Sequence, residues 1–279
     1  MSDLRRALDF MTWVENRCAT RIEPWRWGEV VFNDDFPRVY DFNFLRIDGV
    51  PDDFDFTELM DQAFRLHTAA GHKHRKVVVE DEAMGRSLQT RFGSGGWDAA
   101  ELLVMIYRGA GSAGPQGKRG AGSAGPQGKR GNQMSPPADD RVRELSLSEL
   151  RELRSASFAS GPIAHDPEAF RQLLDKDAVY LEAGNARYIA ALVEGRAVCS
   201  ADLYSDGATA QIEAVLTLEP FRKRGLATAV VKAAVATALA EGHDFVFLIA
   251  DAGDWPKDMY ARMGFQPVGI CWDFTKSPG

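Results

Sequence analysis

The residues most able to do chemistry lie between Thr217 and Thr228, in the stretch TLEPFRKRGLAT. Here an extended segment gives way to a helical one. Gly225 and Ala227 are small enough to let a ligand approach the backbone, and the first turn of a helix offers unpaired amides to an anion. Arg222 and Arg224 add positive charge at the same point. In outline this is a cradle for a pyrophosphate. Elsewhere the signals are thinner. His67, His72 and His74 have a loose metal-ligand spacing, but no carboxylate or cysteine stands convincingly beside them, so a solvated surface cluster and no metal is the expectation. Cys18, Cys199 and Cys271 are far apart and odd in number, which gives neither a disulfide framework nor a paired zinc motif.

The elements that must position the cradle read as mixed α/β. Arg141–Leu145 is a short strand, and Ser146 with Glu149 forms a capping-box signature for a helix carrying Leu147, Leu150 and Leu153. A second helix is predicted over Pro167–Leu174 with Asp166 as its cap. Strands follow at Arg187–Val193, Ala197–Tyr204 and Thr209–Leu218, separated by turn residues. An alanine- and valine-rich helix spans Leu226 to Ala240 and stops at Gly242. Phe245–Ala250 is a buried strand, Asp254 caps a further helix, and Phe265–Phe274 is the last strand region.

In this context the cradle resembles the acetyl-CoA-binding signature of the GNAT acetyltransferases, Arg/Gln-x-x-Gly-x-Gly/Ala after a strand ending Val-x-Thr. Tyr260-Ala-Arg-Met-Gly264-Phe265 resembles the family's second signature, Tyr-x-x-x-Gly-Phe, at the expected distance. The resemblance covers roughly the residues from 141 to 279 and implies the acyl-CoA N-acyltransferase fold, an α/β architecture with a mixed sheet. It implies that Val215, Leu216 and Thr217 pair with the pantetheine arm. It also implies that Arg222, Lys223, Arg224, Gly225, Leu226, Ala227 and Thr228 hold the pyrophosphate. Glu213 stands where many members carry a catalytic base, and Tyr260 matches the tyrosine that protonates the leaving thiolate. Many members have an asparagine on the pantetheine arm where this chain has Asp254, which when ionised accepts but cannot donate. Acetyl-CoA is thus the implied co-substrate, an N-acetyltransferase the implied enzyme, and a non-catalytic acyl-CoA sensor or scaffold the alternative. Both signatures lie within residues 138–279, and that segment is expected to bind acetyl-CoA by itself.

Residues 109–119, GAGSAGPQGKR, are repeated letter for letter at 120–130. Glycine there does not keep the strict period of three that a collagen helix needs, and nothing in the stretch can anchor a core. It reads as a flexible linker over 109–140, between an N-terminal unit at 1–108 and the acyltransferase unit at 141–279. The first unit echoes the second. Ala69-Ala-Gly-His72 precedes the strand Lys76–Val79 as Ala240-Glu-Gly-His243 precedes Phe245, with Val39–Ile47 as a central strand and Thr57–Ala69 as the next helix. This looks like a degenerate copy of the same fold, a tandem arrangement. Asp48, Asp52, Asp53 and Asp55 replace the arginines of the cradle and would repel a phosphate, and Leu88 stands near the place of Tyr260. Trp25, Trp27, Phe32 and Phe36 are expected in an interface core.

At 279 residues, 45% hydrophobic and 26% charged, the composition is that of a globular protein. The net charge of −7 argues against nucleic acid or an anionic membrane as partner and would suit a cationic amine, although solubility alone explains it as well. No run has signal-peptide or membrane-span length, so a cytoplasmic protein is expected. A small-molecule amine rather than a protein is the expected acceptor, and a homodimer is compatible with these features.

Overall fold

A computed structural model describes residues 1–49, 54–109, 139–159 and 161–278. Most of the linker with its duplication, and Asp52 and Asp53, lie outside these residues. The first half runs α1 (Asp3–Cys18), β1 (Arg21–Trp25), β2 (Gly28–Phe32), β3 (Phe44–Ile47), α2 (Phe56–Ala69), β4 (Arg75–Val79), α3 (Glu82–Ser94) and β5 (Asp98–Tyr107). The second runs β6 (Val142–Leu145), α4 (Leu147–Phe158), α5 (Pro167–Ala183), β7 (Arg187–Val193), β8 (Arg196–Ser205), β9 (Thr209–Thr217), α6 (Leu226–Ala240), β10 (Phe245–Asp251), α7 (Pro256–Arg262) and β11 (Phe265–Lys276). No helix among the described residues is long and apolar enough to cross a membrane.

Local chemistry accounts for most boundaries in the second half. Both arms of the capping box at Ser146 and Glu149 are formed, so α4 starts there. Asp166 Oδ1 accepts the Ala169 N–H at 3.1 Å and starts α5. That helix outruns its predicted end at Leu174, because Leu173, Val179 and Tyr180 continue an apolar stripe, and it stops only at Gly184. Around β3 the prediction fails. The strand covers Phe44–Ile47 rather than Val39–Ile47, because the Asn43 amide donates to the carbonyls of Phe36 and Val39, both at 2.8 Å. Residues 36–42 are thereby wound into turns.

All strands join one 11-stranded sheet in the order β1-β2-β3-β4-β11-β5-β10-β9-β8-β7-β6. In the second half β7, β8 and β9 pair antiparallel and β9 pairs parallel with β10; in the first, β1, β2 and β3 pair antiparallel and β3 pairs parallel with β4. The first half thus repeats the second without its opening strand and helix. At the centre the halves interdigitate. β5 lies between β10 and β11, and β11 lies between β4 and β5. Each half's last strand therefore fills a slot in the other, and residues 138–279 alone lack the strand that joins β10 to β11. The expectation that this segment acts unaided does not take that missing strand into account.

The two faces of the sheet carry separate cores. On one face α6 and α7 cover Ile212, Leu248 and Ala250, while α2 and α3 cover Leu45, Val77, Trp272 and Phe274. On the other, α1, α4 and α5 pack over Val104, Phe247 and Tyr188. Trp27 and Phe32 lie with Trp272 and Phe274, so that core is shared between the halves, and Trp25 borders it; Phe36 packs on the α1 face instead. A Cβ on Gly85 of α3 would stand 2.0 Å from Trp272 Cδ1, so only glycine lets the C-terminal strand seat this closely.

Candidate active site

Strand β9 changes character at Glu213. Its register with β8 shifts between Asp202↔Glu213 and Ser200↔Leu216, so Ala214 and Val215 together oppose Ala201. This is a β-bulge, and Ala214 takes the left-handed conformation it requires, with φ 49°. Pairing between β9 and β10 ends at the same place, at Ile212↔Leu248. From Glu213 to Thr217 the strand is held by β8 alone, and its other edge diverges from β10. Val215, Leu216 and Thr217 lie on that open edge. No residue type announces the bulge, since alanine rarely adopts a positive φ.

Beyond the edge the chain makes a short 3-10 turn at Glu219–Phe221 and enters α6 through Lys223 (φ 61°) and Gly225 (φ 74°). A Cβ on Gly225 would meet nothing within 4 Å, so its requirement is conformational: the left-handed φ suits glycine. No side chain caps α6, which leaves the amides of Leu226, Ala227 and Thr228 without partners inside the helix. Arg222, Lys223 and Arg224 are exposed around them. Arg222 Nε donates to the Thr217 carbonyl at 3.3 Å, and the Arg224 guanidinium lies 5.5 Å from the centre of the Phe221 ring. Extended edge, uncapped helix and cations therefore form one continuous surface.

On the α1 face, a cavity of about 580 Å³ opens between the halves. Glu213, Ala214, Val215 and Leu216 form one wall of it, α1 supplies Leu8, Met11 and Val14, and the stacked rings of Tyr180 and Tyr204, 4.9 Å apart, close another side. Carboxylates prevail in its lining: Glu15, Asp41, Glu80, Asp202, Glu213, Asp251 and Asp273, against Lys76, Lys176 and Arg154. Lys76 lies between Asp273 at 2.7 Å and Asp41 at 3.2 Å, and Lys76 chiefly holds Asp41 far below the usual carboxylate range. Arg154 joins Asp202 at 2.7 Å and Asp177 at 3.6 Å. Glu213 has no cationic partner among the described residues. Its Oε1 accepts from Gln211 Nε2 at 2.6 Å and its Oε2 from the Ala214 N–H at 3.3 Å. Burial pushes its pKa up to about 7, against the lowering effect of these two hydrogen bonds. The tandem reading of the sequence lets the first half shape the substrate cleft or the interface between the copies, but it does not name the residues that do so. The one available signal was Lys76, a charge leading into a run of valines.

Tyr260 does not line the cavity. It belongs to the core on the α6 face, 6% exposed, with its ring 6.1 Å from that of Phe265. Its hydroxyl makes no hydrogen bond to the described residues, and burial, aided by the nearby Glu213, pushes it up to about 12. Asp254 does not cap α7 as expected. The cap position is Trp255, and Asp254 Oδ1 accepts the Trp255 N–H at 2.7 Å. Pro256 opens the helix and lacks the amide a cap would need. In the first half Asp55 Oδ1 accepts the Thr57 N–H at 2.8 Å, so a carboxylate occupies the N-terminus of α2, the counterpart of α6. Leu88 is buried in α3 with no polar atom to offer. His67, His72 and His74 are buried rather than solvated, because the end of α2 and the turn into β4 fold them under Phe32 and Tyr40.

A mixed sheet opened between two parallel strands, beside a glycine-led helix with a bare N-terminus, defines the acyl-CoA N-acyltransferase fold. Residues 147–265 match the acetyltransferase (GNAT) family. The fold is similar along nearly its whole length to three solved structures. A functionally unknown conserved protein from Staphylococcus epidermidis is 15% identical with a TM-score of 0.65, covering 94% of this chain and 95% of its own. A GCN5-related N-acetyltransferase from Kribbella flavida is 16% identical with a TM-score of 0.57, covering 99% and 95%. A tandem GNAT protein from the clavulanic acid biosynthesis pathway is 13% identical with a TM-score of 0.53, also covering 99% and 95%. No curated protein matches the chain in sequence.

Proposed function

We propose that this protein moves an acetyl group from acetyl-CoA to the primary amine of a small, cationic acceptor that enters the cavity between the halves, and that it does so in the cytoplasm. One observation carries the reading: the open edge of β9 and the wall of the cavity are the same residues, Glu213 to Leu216. A donor held along that edge and an amine held in the cavity would meet at the bulge. The residues suit acetyl-CoA. Val215, Leu216 and Thr217 present the edge of β9 that faces away from β8 to an extended pantetheine arm, with Asp254 a further candidate contact beyond β10, and the bare amides of α6 with Arg222, Lys223 and Arg224 suit a pyrophosphate.

The chain's own groups then divide the work. The carboxylate-rich lining attracts an ammonium, and Glu213, poised near neutral pH, takes its proton so that the free amine can attack the thioester carbonyl. The Tyr260 hydroxyl, on the other face of the divergent strands, supplies a proton to the departing sulfur. One specific feature favours the alternative of a non-catalytic acyl-CoA sensor: Tyr260 stands in the core and not in the cavity wall. Because Asp55 already occupies the start of α2, the first half should hold no nucleotide. Release of CoA thiol with a panel of di- and polyamines, beside calorimetry with acetyl-CoA, tests the proposal. Turnover with at least one amine and one CoA bound per chain are expected. Binding without turnover on any amine would support the sensor, and two CoA per chain would overturn the reading of the first half.

A further inference from the structure

We propose that His67, His72 and His74 form a metal site in the first half, suited to a zinc-like divalent cation. The three come from the last turn of α2, the following turn, and the approach to β4. Gly71, with φ 75°, and the bond from the His72 N–H to the His67 carbonyl at 2.9 Å fix that connection. One ring nitrogen from each residue lies within 4.8 Å of the other two. All three side chains are at least nine-tenths buried.

The outer nitrogens are already engaged in the way metal-bound imidazoles usually are. His67 Nε2 lies 3.2 Å from the Lys76 carbonyl, and His74 Nε2 lies 3.0 Å from the Asn43 carbonyl. A proton on His74 Nε2, donated to the Asn43 carbonyl, leaves His74 Nδ1 as a bare lone pair, while His67 Nε2 also accepts the Lys76 N–H at 3.3 Å, so the proton on that ring is set by its Nδ1 contact with His72. His74 Nδ1 then has no partner, and His72 Nε2 is likewise buried without one. His67 Nδ1 and His72 Nδ1 face each other at 3.0 Å, where a single proton or a shared cation can hold them. A protein-only account leaves the orphaned nitrogens unexplained, since buried polar atoms normally find partners.

The surroundings favour an imidazole-preferring metal over a hard cation. The nearest charges are mainly positive. Arg75 donates to the carbonyls of His72 and His74, and Arg21 near His72 is engaged by Asp34. Calcium or magnesium, held by oxygen and charge, would find neither here, whereas zinc, cobalt, nickel and copper accept neutral nitrogen ligands. The site would tie α2 to β4 and, through Asn43, to β3. Its role would be structural.

The full-length protein, stripped with a chelator and titrated with Co(II) alone, tests this. One equivalent should develop the visible bands of a low-coordinate nitrogen site, and Zn(II) should abolish them and raise the melting temperature. His74→Asn should lose the Co(II) bands. Imidazole ¹⁵N spectra of the unmutated protein give a readout that does not depend on a variant's folding: the His67, His72 and His74 resonances should move with Zn(II) while those of His165 and His243 stay. Absence of Co(II) bands with an unchanged melt, bands that persist in a folded His74→Asn variant, or shifts confined to His165 or His243 would each overturn the proposal.

Discussion

Replacing Glu213 by glutamine separates what the carboxylate does for the reaction from what it costs the fold. Burial in a wall without a cationic partner raises its pKa from the ordinary 4.5 to about 7. As proton acceptor it works only when ionised, so kcat/KM should climb roughly tenfold per pH unit up to about pH 7 and then level off. Glutamine keeps the size and the hydrogen-bonding oxygen but cannot take the proton. A general base contributes about 10²–10⁴-fold, or about 2.7–5.4 kcal/mol of barrier, and Glu213→Gln should lose that much turnover while binding acetyl-CoA almost unchanged.

Stability should move the other way. The folded protein binds this proton more tightly than the unfolded chain, so the stability the group contributes is full below about pH 4.5. It is lost progressively as pH rises through 7. The full swing corresponds to about 3 kcal/mol, and a side chain that stays neutral escapes it. Glu213→Gln should therefore melt several degrees above the unmutated protein at about pH 8 and converge with it towards about pH 4. Thiol release followed across pH, with thermal melts in the same buffers, measures both. A variant with near-normal turnover and an unchanged pH profile would remove Glu213 from the chemistry. A lower melting temperature at high pH would refute the electrostatic argument.

Two further outcomes are expected. Tyr260→Phe should fold and bind acetyl-CoA normally but turn over about 10- to 100-fold more slowly, the lower end of acid–base effects; full activity would make Tyr260 a packing residue. Residues 138–279 alone should show no cooperative melt. They lack β5, whose Val104, Met105 and Ile106 are almost wholly buried. At about 1.5–3 kcal/mol each, these side chains account for much of the 5–15 kcal/mol that usually stabilises a domain. Adding residues 1–109 as a separate chain should restore the melt, and a sharp transition in the lone segment would refute this reading.

What could be read in advance was whatever has a local cause. Ser146 and Glu149 announce α4 because a capping box is complete within four residues, and the run from Leu226 to Ala240 contains its helix and its stop. The cradle was legible because its parts adjoin in sequence. Ala214 was not, because its strained φ is imposed by the bulge against β8. The shortening of β3 was hidden because Asn43, ordinary in sequence, acts through side-chain bonds to carbonyls several residues back. The histidines read as surface because spacing carries no information about what folds over them. The exchange of β5 and β11 had no sequence signature beyond a glycine at 85 and a tryptophan at 272, which meet only in three dimensions.

That exchange sets a timetable for the chain as it is made. When the first half has left the ribosome, β4 and β5 cannot pair with each other, because the place between them belongs to β11. The valines of β4 and the apolar side chains of β5 must wait through most of the remaining synthesis, exposing strand edges that invite wrong partners. Neither half can finish before Phe265–Lys276 emerges, and the closing contacts join residues such as Lys76 and Thr275 that are far apart in sequence. Loop closure over such distances makes folding slow. The newborn chain therefore passes through a half-zipped stage in which these strand edges stay open to wrong partners.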